Sequence, residues 1–449
     1  MPGAGNRIAT LIVAIALFVT GAVGAGQALA QGMIRDAGVE YGMRRIAAPV
    51  LTAAGLPTSR IQVLLINDQS MNAFVADGNH IFLHTGMLLR LSSAAELQGV
   101  LAHEAAHITN GHIARRLSNL RGVGAGSRLG LLLALAAGVA GAPADAVAGI
   151  AAGTAGSAQR IFLSHTRAEE AAADQSGVRY MAQAGVDPQS MLDVLDMFRG
   201  QEALVPGRQD PYVRSHPLSR DRLRSLRGYV AAQPAQASRE DAQAAYWFDR
   251  AQAKVGAFLQ NPSMTLRKVS RNDRSDPALI RRAVANHRLA KTDAALEAVN
   301  ALIARNPQDG YAVELRGQIL LESRRFGPAV ADYARATALA PNEPLILAGY
   351  GRALLAVDTA DSNRRALQVL ERAQARDGND TRMLRDLAVA YARTGQNGMA
   401  SVVTAERYAI QGRFKDAAVH ANRALGLLPR GSPGWMRAQD VVTMAENAE

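Results

Sequence analysis

The sequence predicts a mainly α-helical protein, in which an α+β domain with a small β-hairpin or sheet precedes an all-α domain of helical repeats. Alanine is abundant and aromatic residues make up only 5% of the chain, which favours helices over an all-β sandwich or barrel. Two apolar runs around Asp77-Gly78-Asn79 are typical of a β-hairpin. Pro307 and Pro341 lie 34 residues apart, the period of tetratricopeptide (TPR) repeats.

Length and composition limit the class of protein. The chain has 449 residues, enough for two or three domains, and its 48% apolar and 20% charged residues exclude a disordered tail or a fibre. The absence of cysteine excludes a disulfide framework, thiolate zinc sites, iron–sulfur clusters and a cysteine nucleophile, so any metal must bind His, Asp or Glu. We expect the two domains at residues 31–232 and 240–449, with a boundary rich in Ala, Gln and Ser between them.

Residues 1–30 have the pattern of a secretory signal peptide. Arg7 is the only charged side chain there, the apolar run Ile8–Val23 follows, and Ala28-Leu29-Ala30 matches a cleavage site. An uncleaved membrane anchor is the alternative, because the run is nearly long enough to span a bilayer. A signal peptide predicts the bacterial periplasm as the location, with association to the outer membrane also open.

The first domain should contain a short sheet before its main helices. Ile61–Ile66 predicts a buried strand, and Asn72–Ala76 and Ile81–His84 predict the two strands of the hairpin. Ser92-Ser93 followed by Glu96 resembles a capping box and predicts the start of a helix. A charge-rich helical stretch over residues 160–200 completes the domain.

The second domain repeats a pattern of small and large residues in four units. In the unit that ends at Pro341 the pattern comprises Gly317, Leu320, Ala329, Tyr333 and Ala336. The next unit repeats its second-helix pattern three residues late, after an insertion at residues 358–363. Stacked repeats bury their apolar faces against each other and leave a concave surface, which usually binds peptides or proteins. An ordinary helical bundle is the alternative.

The apolar segment Leu129–Ala142 is too short for a membrane span. Its fourteen residues fall below the roughly twenty that cross a bilayer. For this segment and for Ala146–Gly156 behind it, a buried hairpin, a lid and a peripheral membrane contact all remain open.

The sequence His103-Glu104-Ala105-Ala106-His107 is an HExxH motif inside a predicted helix. Residues i and i+4 share one helical face, so both imidazoles can point at one ion. Glu104 can then hold a metal-bound water and act as general base. Two surface histidines are the alternative, but the preceding Leu97, Val100 and Leu101 indicate that the helix is buried.

A third ligand must come from another part of the chain, because catalytic zinc usually has three protein ligands and one open position. Residue 113 is not histidine, so the HExxHxxGxxH extension is absent. Glu170 can supply a carboxylate, and spacing alone does not separate it from its neighbour Glu169. Asp174, one helical turn after Glu170, can orient a ligating histidine.

These motifs resemble the secreted bacterial HExxH zinc metallopeptidases that are related to the CAAX-prenyl protease and carry a C-terminal TPR domain. The resemblance covers almost the whole chain after residue 30. The family pairs HExxH with Arg-x-x-Glu-x-x-x-Asp, matched here by Arg167, Glu170 and Asp174, and this match selects Glu170 over Glu169. Thr166 stands where the family usually has serine.

Three further family motifs surround the predicted hairpin and the end of the domain. Asn-Ala-Phe before the hairpin is matched by Asn72-Ala73-Phe74, and Gly-x-Leu after it by Gly86-Met87-Leu88. The motif His-Pro-x-Ser/Thr-x-x-Arg is matched by His216-Pro217, Ser219 and Arg222.

The resemblance implies a zincin-like fold and one Zn²⁺ per chain, held by His103, His107 and Glu170. Glu104 would take the proton of the zinc-bound water and return it to the leaving amine.

The resemblance also implies roles for residues around the zinc. Arg222 or His216 would stabilise the oxyanion, with a structural loop contact as the alternative for both. His216 can also occupy the open zinc position in a resting state.

An extended substrate is expected to add as a strand beside the hairpin. The candidate positions are Phe74 on one strand and Ile81, Phe82 and Leu83 on the other.

We therefore expect a periplasmic zinc endopeptidase that cleaves misfolded or stalled outer-membrane proteins in envelope quality control. Its TPR domain would recruit substrates or the outer-membrane assembly machinery. The alternative is a chaperone or scaffold for outer-membrane assembly with a gated or rarely used protease site. The net charge of +11 does not indicate nucleic-acid binding, because the arginines are dispersed and aromatic residues are scarce.

Overall fold

The structure is a computed structural model that describes residues 32–75, 77–118, 166–204, 209–233 and 241–447. The expected signal peptide and the apolar segments Leu129–Ala142 and Ala146–Gly156 lie outside the described residues. Across the described ranges, no helix is long and apolar enough to cross a membrane.

The described chain is mainly helical with one four-stranded sheet, which confirms the expected fold class. The strands are β1 (Met33–Ile34), β2 (Gln62–Ile66), β3 (Ala73–Val75) and β4 (His80–His84). The helices before residue 240 are α1 (Ala37–Ala53), α2 (Thr85–Arg90), α3 (Ala94–Thr109), α4 (His112–Ser118), α5 (Arg167–Gln183), α6 (Gln189–Asp196), α7 (Pro211–Ser215) and α8 (Arg220–Ala231). Those after it are α9 (Ala242–Leu259), α10 (Pro262–Lys268), α11 (Asp276–Arg288), α12 (Thr292–Arg305), α13 (Gly310–Glu322), α14 (Phe326–Leu339), α15 (Pro344–Val357), α16 (Ala360–Gln374), α17 (Thr381–Arg393), α18 (Asn397–Ile410), α19 (Phe414–Leu427) and α20 (Pro433–Glu446).

The sheet has the strand order β1-β2-β4-β3, with β2 parallel to β4 and the other pairs antiparallel. The predicted hairpin is therefore present as β3 and β4. Since β4 pairs with β2 on one side and β3 on the other, it has no free edge. This corrects the expectation that a substrate strand could add along Ile81, Phe82 and Leu83, and leaves the β3 edge at Phe74.

The two faces of the sheet have different neighbours. Val63, Leu65, Ile81 and Leu83 point to one face and join the core formed with α1 and α3. Phe74 and its cross-strand partner Phe82 alternate to the other face, where their rings stack at 5.2 Å. The helical core thus fixes the sheet beside α3, which carries the HExxH motif.

The start of α3 follows from its capping residues. The Ser93 hydroxyl accepts the Glu96 N–H at 3.2 Å, as the sequence predicts. The Glu96 carboxylate accepts the N–H of Ser92 at 2.6 Å, one residue before the N-cap, so the capping box is shifted by one position.

The helices from α11 onward form the expected repeats. α11, α13 and α15 begin at residues 276, 310 and 344, two intervals of 34 residues. In each pair, the turn between the two helices has a residue in the left-handed conformation at the same position of the repeat. These residues are Ala290, Arg324 and Asp358, with φ of 57°, 60° and 56°. Helix α17 begins 37 residues after α15. The three extra residues at the predicted insertion are taken up around the first turn of α16, so Leu370 packs where Tyr333 packs in the preceding unit.

The repeats contact the first domain through α1 and α9. Lys254 of α9 pairs with Asp36, the N-cap of α1, at 2.7 Å. Arg35 pairs with Asp377 at 2.5 Å, so the loop between α16 and α17 reaches the start of α1. Buried charge pairs hold their geometry strongly, because separating them would leave unpaired charges. These contacts fix the concave face of the repeats over the sheet.

Candidate metal centre

Helix α3 places both histidines of the HExxH motif on one buried face. The Nε2 atoms of His103 and His107 lie 3.1 Å apart, and both rings are at most 1% exposed. Glu104 lies between them in sequence and is fully buried. The apolar residues of α3 pack against α1 and the sheet and bury the helix in the core.

Helix α5 brings Glu170 to the two histidines. Glu170 Oε2 lies 3.5 Å from His103 Nε2, and Oε1 lies 3.3 Å from His107 Nε2. Glu169 instead accepts the Thr166 N–H in the capping box that begins α5. Because consecutive helical residues point about 100° apart, only one of the two glutamates can face the histidines. The structure therefore brings Glu170 into the cluster.

His216 completes a group of four. Its Nδ1 atom lies 3.0 Å from Glu170 Oε1 and 3.3 Å from His103 Nε2. Its Nε2 atom lies 3.2 Å from the Ala73 carbonyl oxygen, which can only accept. With the proton on Nε2, Nδ1 would present a lone pair to a metal in the cluster.

These four side chains fit a metal ion. One ligand atom from each of His103, His107, Glu170 and His216 lies within 4.8 Å of the others. The closest distances of 3.0–3.5 Å match the edges of a tetrahedron of ligands at about 2.0–2.1 Å from zinc, which are roughly 3.3–3.4 Å. A cation between these converging ligand atoms would satisfy them together in a buried site. The site can hold a single metal.

A bridging arginine supports the ligands from behind. Arg222 Nε and Nη2 donate to the two oxygens of Asp174 at 2.7 and 2.9 Å. Arg222 Nη1 lies 2.5 Å from Glu170 Oε2. Asp174 Oδ1 in turn lies 3.0 Å from His103 Nδ1, which fixes the proton on that nitrogen and leaves Nε2 to face the metal position.

The electrostatics of the cluster follow from burial and these partners. Burial lowers the pKa of His103, but the carboxylates of Glu170 and Asp174 outweigh it and raise that pKa to about 9. Burial would raise the pKa of Glu170, yet the Arg222 guanidinium and the neighbouring histidines hold it well below its ordinary value. The metal position is therefore a strong cation site.

Glu104 differs from Glu170. Burial raises the pKa of its carboxyl above the ordinary value, and His216 only partly opposes this. Neither of its oxygens has a hydrogen-bond partner among the described residues. Oε1 of Glu104 lies 3.4 Å from His216 Nε2. A buried carboxyl with a raised pKa can accept a proton and give it back.

The segment that carries His216 lies on the start of β3. The Tyr212 N–H donates to the Met71 carbonyl at 3.3 Å, and the Ser215 hydroxyl donates to Asn72 Oδ1 at 3.3 Å. The Tyr212 ring lies 4.6 Å from the His216 ring and packs against it. We call residues 210–216 the strap. It covers the part of the β3 edge that a substrate strand would approach.

The motifs do not specify the contact that His112 makes with His107. Its Nδ1 atom lies 2.9 Å from Nδ1 of His107, and it is buried at the start of α4. Gly111, with φ of 69°, makes the turn between α3 and α4. Five residues separate the two histidines, which is not a helical spacing, so only the turn at Gly111 could have revealed the contact.

An HExxH helix, a glutamate from a second helix and a short sheet beside them are the arrangement of a metalloendopeptidase. Residues 38–230 match the model of peptidase family M48.

Proteins of known name match a larger part of the chain. The beta-barrel assembly-enhancing protease of Yersinia pestis is 25% identical over 376 residues, covering 82% of this chain and 74% of that protein. The protein of the same name from Escherichia coli K12 is 27% identical over 363 residues, covering 79% and 72%. A solved TPR protein of Thermus thermophilus covers 38% of this chain and all of its own at 20% identity, with a TM-score of 0.27.

Proposed function

We propose that this protein is a periplasmic zinc endopeptidase that cleaves misfolded or stalled outer-membrane proteins. The convergence of His103, His107 and Glu170 beside the buried Glu104 carboxyl is the observation that carries the proposal. A catalytic zinc uses three protein ligands of these kinds and supplies a polarised water and a polarised scissile carbonyl.

Residues around the metal position have three further proposed roles: proton transfer, positioning of the ligands and stabilisation of the oxyanion. Glu104 takes a proton from the attacking water and returns it to the leaving amine, for which its raised pKa is suited. Asp174 and Arg222 keep His103 and Glu170 in place. Of the two candidates to stabilise the oxyanion, His216 lies in the ligand cluster, whereas the guanidinium of Arg222 is occupied by Asp174 and Glu170.

His216 has a second proposed role, in the resting state of the enzyme, before substrate binds. Its Nδ1 atom lies within the ligand cluster, so His216 can fill the fourth position of the metal. Substrate would then have to displace the strap from β3 before it could reach the metal. A substrate strand beside Phe74 is compatible with this order of events, because the strap and the substrate compete for the same edge.

The helical repeats from α11 onward would recruit substrates or the outer-membrane assembly machinery. The names of the matching proteins from Yersinia pestis and Escherichia coli support a role in β-barrel assembly. The signal-peptide pattern of residues 1–30 supports the periplasm. The alternative function is a chaperone or scaffold whose protease site is seldom open, and the strap on β3 is the observation that favours it.

The test measures zinc content and cleavage of a labelled unfolded protein by three variants and the unmodified chain. Glu104→Gln is expected to keep one zinc and lose cleavage by about 10²–10⁴-fold. Glu170→Gln is expected to lose zinc. Glu169→Gln is the matched control, since Glu169 caps α5 outside the cluster, and it should keep both.

Two results would contradict the proposal. A chain that binds no zinc at neutral pH would overturn the ligand set. A chain that binds zinc, does not cleave, and suppresses aggregation of the unfolded protein would favour the chaperone function.

A further inference from the structure

A groove of about 600 Å³ lies between the repeats and the sheet, away from the metal centre. Phe82 of β4 contributes to one wall, and Leu321 and Leu345 of the repeats contribute to the other. Tyr333 also lines the groove and packs tightly, because a Cβ on Gly349 would lie only 2.3 Å from its ring. The groove therefore has rigid apolar walls.

Four arginines of the repeats also line the groove, on helices α15, α17 and α18: Arg352, Arg382, Arg385 and Arg407. A single carboxylate, Asp386, serves two of them. Its oxygens lie 2.7 Å from Arg352 Nε and 3.1 Å from Arg385 Nη2. Within the described ranges, Arg382 and Arg407 have no ion-pair partner, and Arg407 Nε is buried without a hydrogen bond.

The positive charges of the groove oppose one another. Burial and the neighbouring guanidinium of Arg352 lower the pKa of Arg382 below its ordinary value. Asp380, two residues away, is already used as the N-cap of α17, where it accepts two backbone N–H groups at 2.9 and 3.1 Å. An added anion would relieve the repulsion around Arg382.

The other acidic side chains of the groove contact basic side chains on α9 and α11. Asp36 and Glu314 both contact Lys254, at 2.7 and 3.4 Å. Glu322 lies 2.7 Å from His287 Nε2. On the α15–α18 side, four guanidinium groups are near only two carboxylates, the paired Asp386 and the capping Asp380, so the uncompensated charge of that side is positive.

We propose that this groove binds the C-terminus of an unassembled polypeptide, with the terminal carboxylate held by Arg352, Arg382 and Arg385. Planar guanidinium groups bind carboxylates through paired hydrogen bonds. The apolar walls formed by Leu321 and Tyr333 suit an apolar last side chain. A run of acidic side chains would bring further charges against those walls, at a desolvation cost. The proposal rests on the recruiting role proposed for the helical repeats and specifies the chemical group that the repeats would recognise.

The experiment measures peptide binding to the full chain by fluorescence anisotropy. The protein carries Glu104→Gln and is kept in EDTA, so that the probe is not cleaved. The probe is fluorescein-labelled Ser-Leu-Ser-Leu-Ser-Phe with a free carboxylate, compared with the same peptide as an amide. We expect the free carboxylate to bind at least about tenfold more tightly, the discrimination of roughly one charged hydrogen-bonded contact.

Arg382→Gln tests whether the groove binds the peptide carboxylate. Arg382 is suited to this test because it has no ion pair to lose among the described residues. It should weaken binding of the free-carboxylate peptide about tenfold and leave the affinity for the amide unchanged. Arg364→Gln is the matched control, since Arg364 is 64% exposed on α16 and does not line the groove. It should bind both peptides as the parent does.

Three outcomes overturn the proposal. The amide binds as tightly as the free carboxylate, or Arg382→Gln binds the free carboxylate like its parent, or no saturable binding is found. A third peptide, amidated and with glutamates in place of its serines, tests acidic side chains as the source of the anion. Tighter binding of that peptide than of the free carboxylate also overturns it. Because binding is measured without metal, loss of the proposed protease function would not alter these results.

Discussion

The Nδ1 atoms of His107 and His112 lie 2.9 Å apart, and both rings are buried. At this distance one imidazole nitrogen donates a proton and the other accepts it. If Nε2 of His107 binds a metal, its proton must be on Nδ1, so Nδ1 of His112 is the acceptor. The two ligating histidines therefore have different supports: a carboxylate, Asp174, for His103, and a neutral imidazole for His107.

This relationship predicts the behaviour of two His112 variants. His112→Leu removes the acceptor and should weaken zinc binding by about 10–100-fold. His112→Asn should retain most of the affinity, because its side-chain oxygen can accept at nearly the position of Nδ1. Competition with a chromophoric chelator measures the affinity.

A control variant distinguishes loss of the His107–His112 hydrogen bond from a nonspecific effect of removing a histidine. His287→Leu removes a histidine of the repeats, far from the metal centre in sequence, and should leave zinc affinity unchanged. Melting of the metal-free proteins checks that the His112 variants are folded. If Leu and Asn at residue 112 weaken zinc binding equally, the contact with His107 does not act through hydrogen-bond acceptance.

His216→Ala is predicted to separate the two parts proposed for His216. If the side chain blocks the metal at rest, its loss should raise basal cleavage, by up to about tenfold where only a tenth of the molecules are open. If it stabilises the oxyanion, cleavage should instead fall by about 10²-fold or more. Unchanged cleavage would contradict both parts. The measurement is the initial rate on an unfolded protein, with zinc content determined for each sample.

More of the fold than of the metal centre could be predicted from the sequence. The β3–β4 hairpin, the cap of α3 and the 34-residue repeats follow from local chemistry, and the structure has them. The single helical stretch expected over residues 160–200 is two helices in its described part, because Gly185 adopts a φ of 73° between them.

The site depends on contacts that local patterns do not specify. Glu169 and Glu170 are equivalent in spacing, and the capping box with Thr166 decides which of them turns away. The interior position of β4 arises because β2 pairs in parallel with it across a long connection. The approach of His216 to the ligands depends on the strap packing on β3, which joins residues more than 130 positions apart.

The free energy of unfolding is predicted to include a contribution from Glu40 that increases as the pH falls. Burial outweighs the Arg35 guanidinium and raises the pKa of Glu40 from 4.5 to about 7. Between these values the folded protein binds a proton that the unfolded chain has released. The resulting stabilisation is fully present below pH 4.5 and is lost as the pH rises through about 7.

Between pH 8 and pH 6 this group should add roughly 1 kcal/mol to the free energy of unfolding. Glu40→Gln should remove that increment, while Arg35 keeps its pair with Asp377. Urea unfolding in EDTA at both pH values measures it. Glu297→Gln, on the exposed face of α12, is the control for other titrating groups and should retain the full increment. Equal pH dependence in the Glu40 variant and the unmodified protein would show that the Glu40 carboxyl is already ionised at pH 6.

Gly86 is predicted to be essential for the approach of β3 to the metal centre. A Cβ at this position would lie 2.1 Å from the Gln69 carbonyl oxygen and 2.3 Å from that of Ser70, both backbone atoms that cannot rotate away. The Gly86 N–H also donates to the Asp68 carbonyl at 2.8 Å, which holds α2 against this loop. Gly86→Ala must therefore displace the loop that leads into β3, at a cost of roughly 2–3 kcal/mol in the free energy of unfolding.

A second glycine of the same hairpin region provides the control. Gly78 lies in the exposed turn between β3 and β4, and a Cβ there would meet no atom of the described chain within 4 Å. Gly78→Ala should change the free energy of unfolding by no more than about 0.5 kcal/mol. Because the displaced loop continues to Ala73, whose carbonyl accepts from His216, Gly86→Ala should also perturb cleavage, whereas Gly78→Ala should not. Equal urea midpoints for the two variants would show that the loop can move aside without cost, and that the tight contact at Gly86 does not position β3.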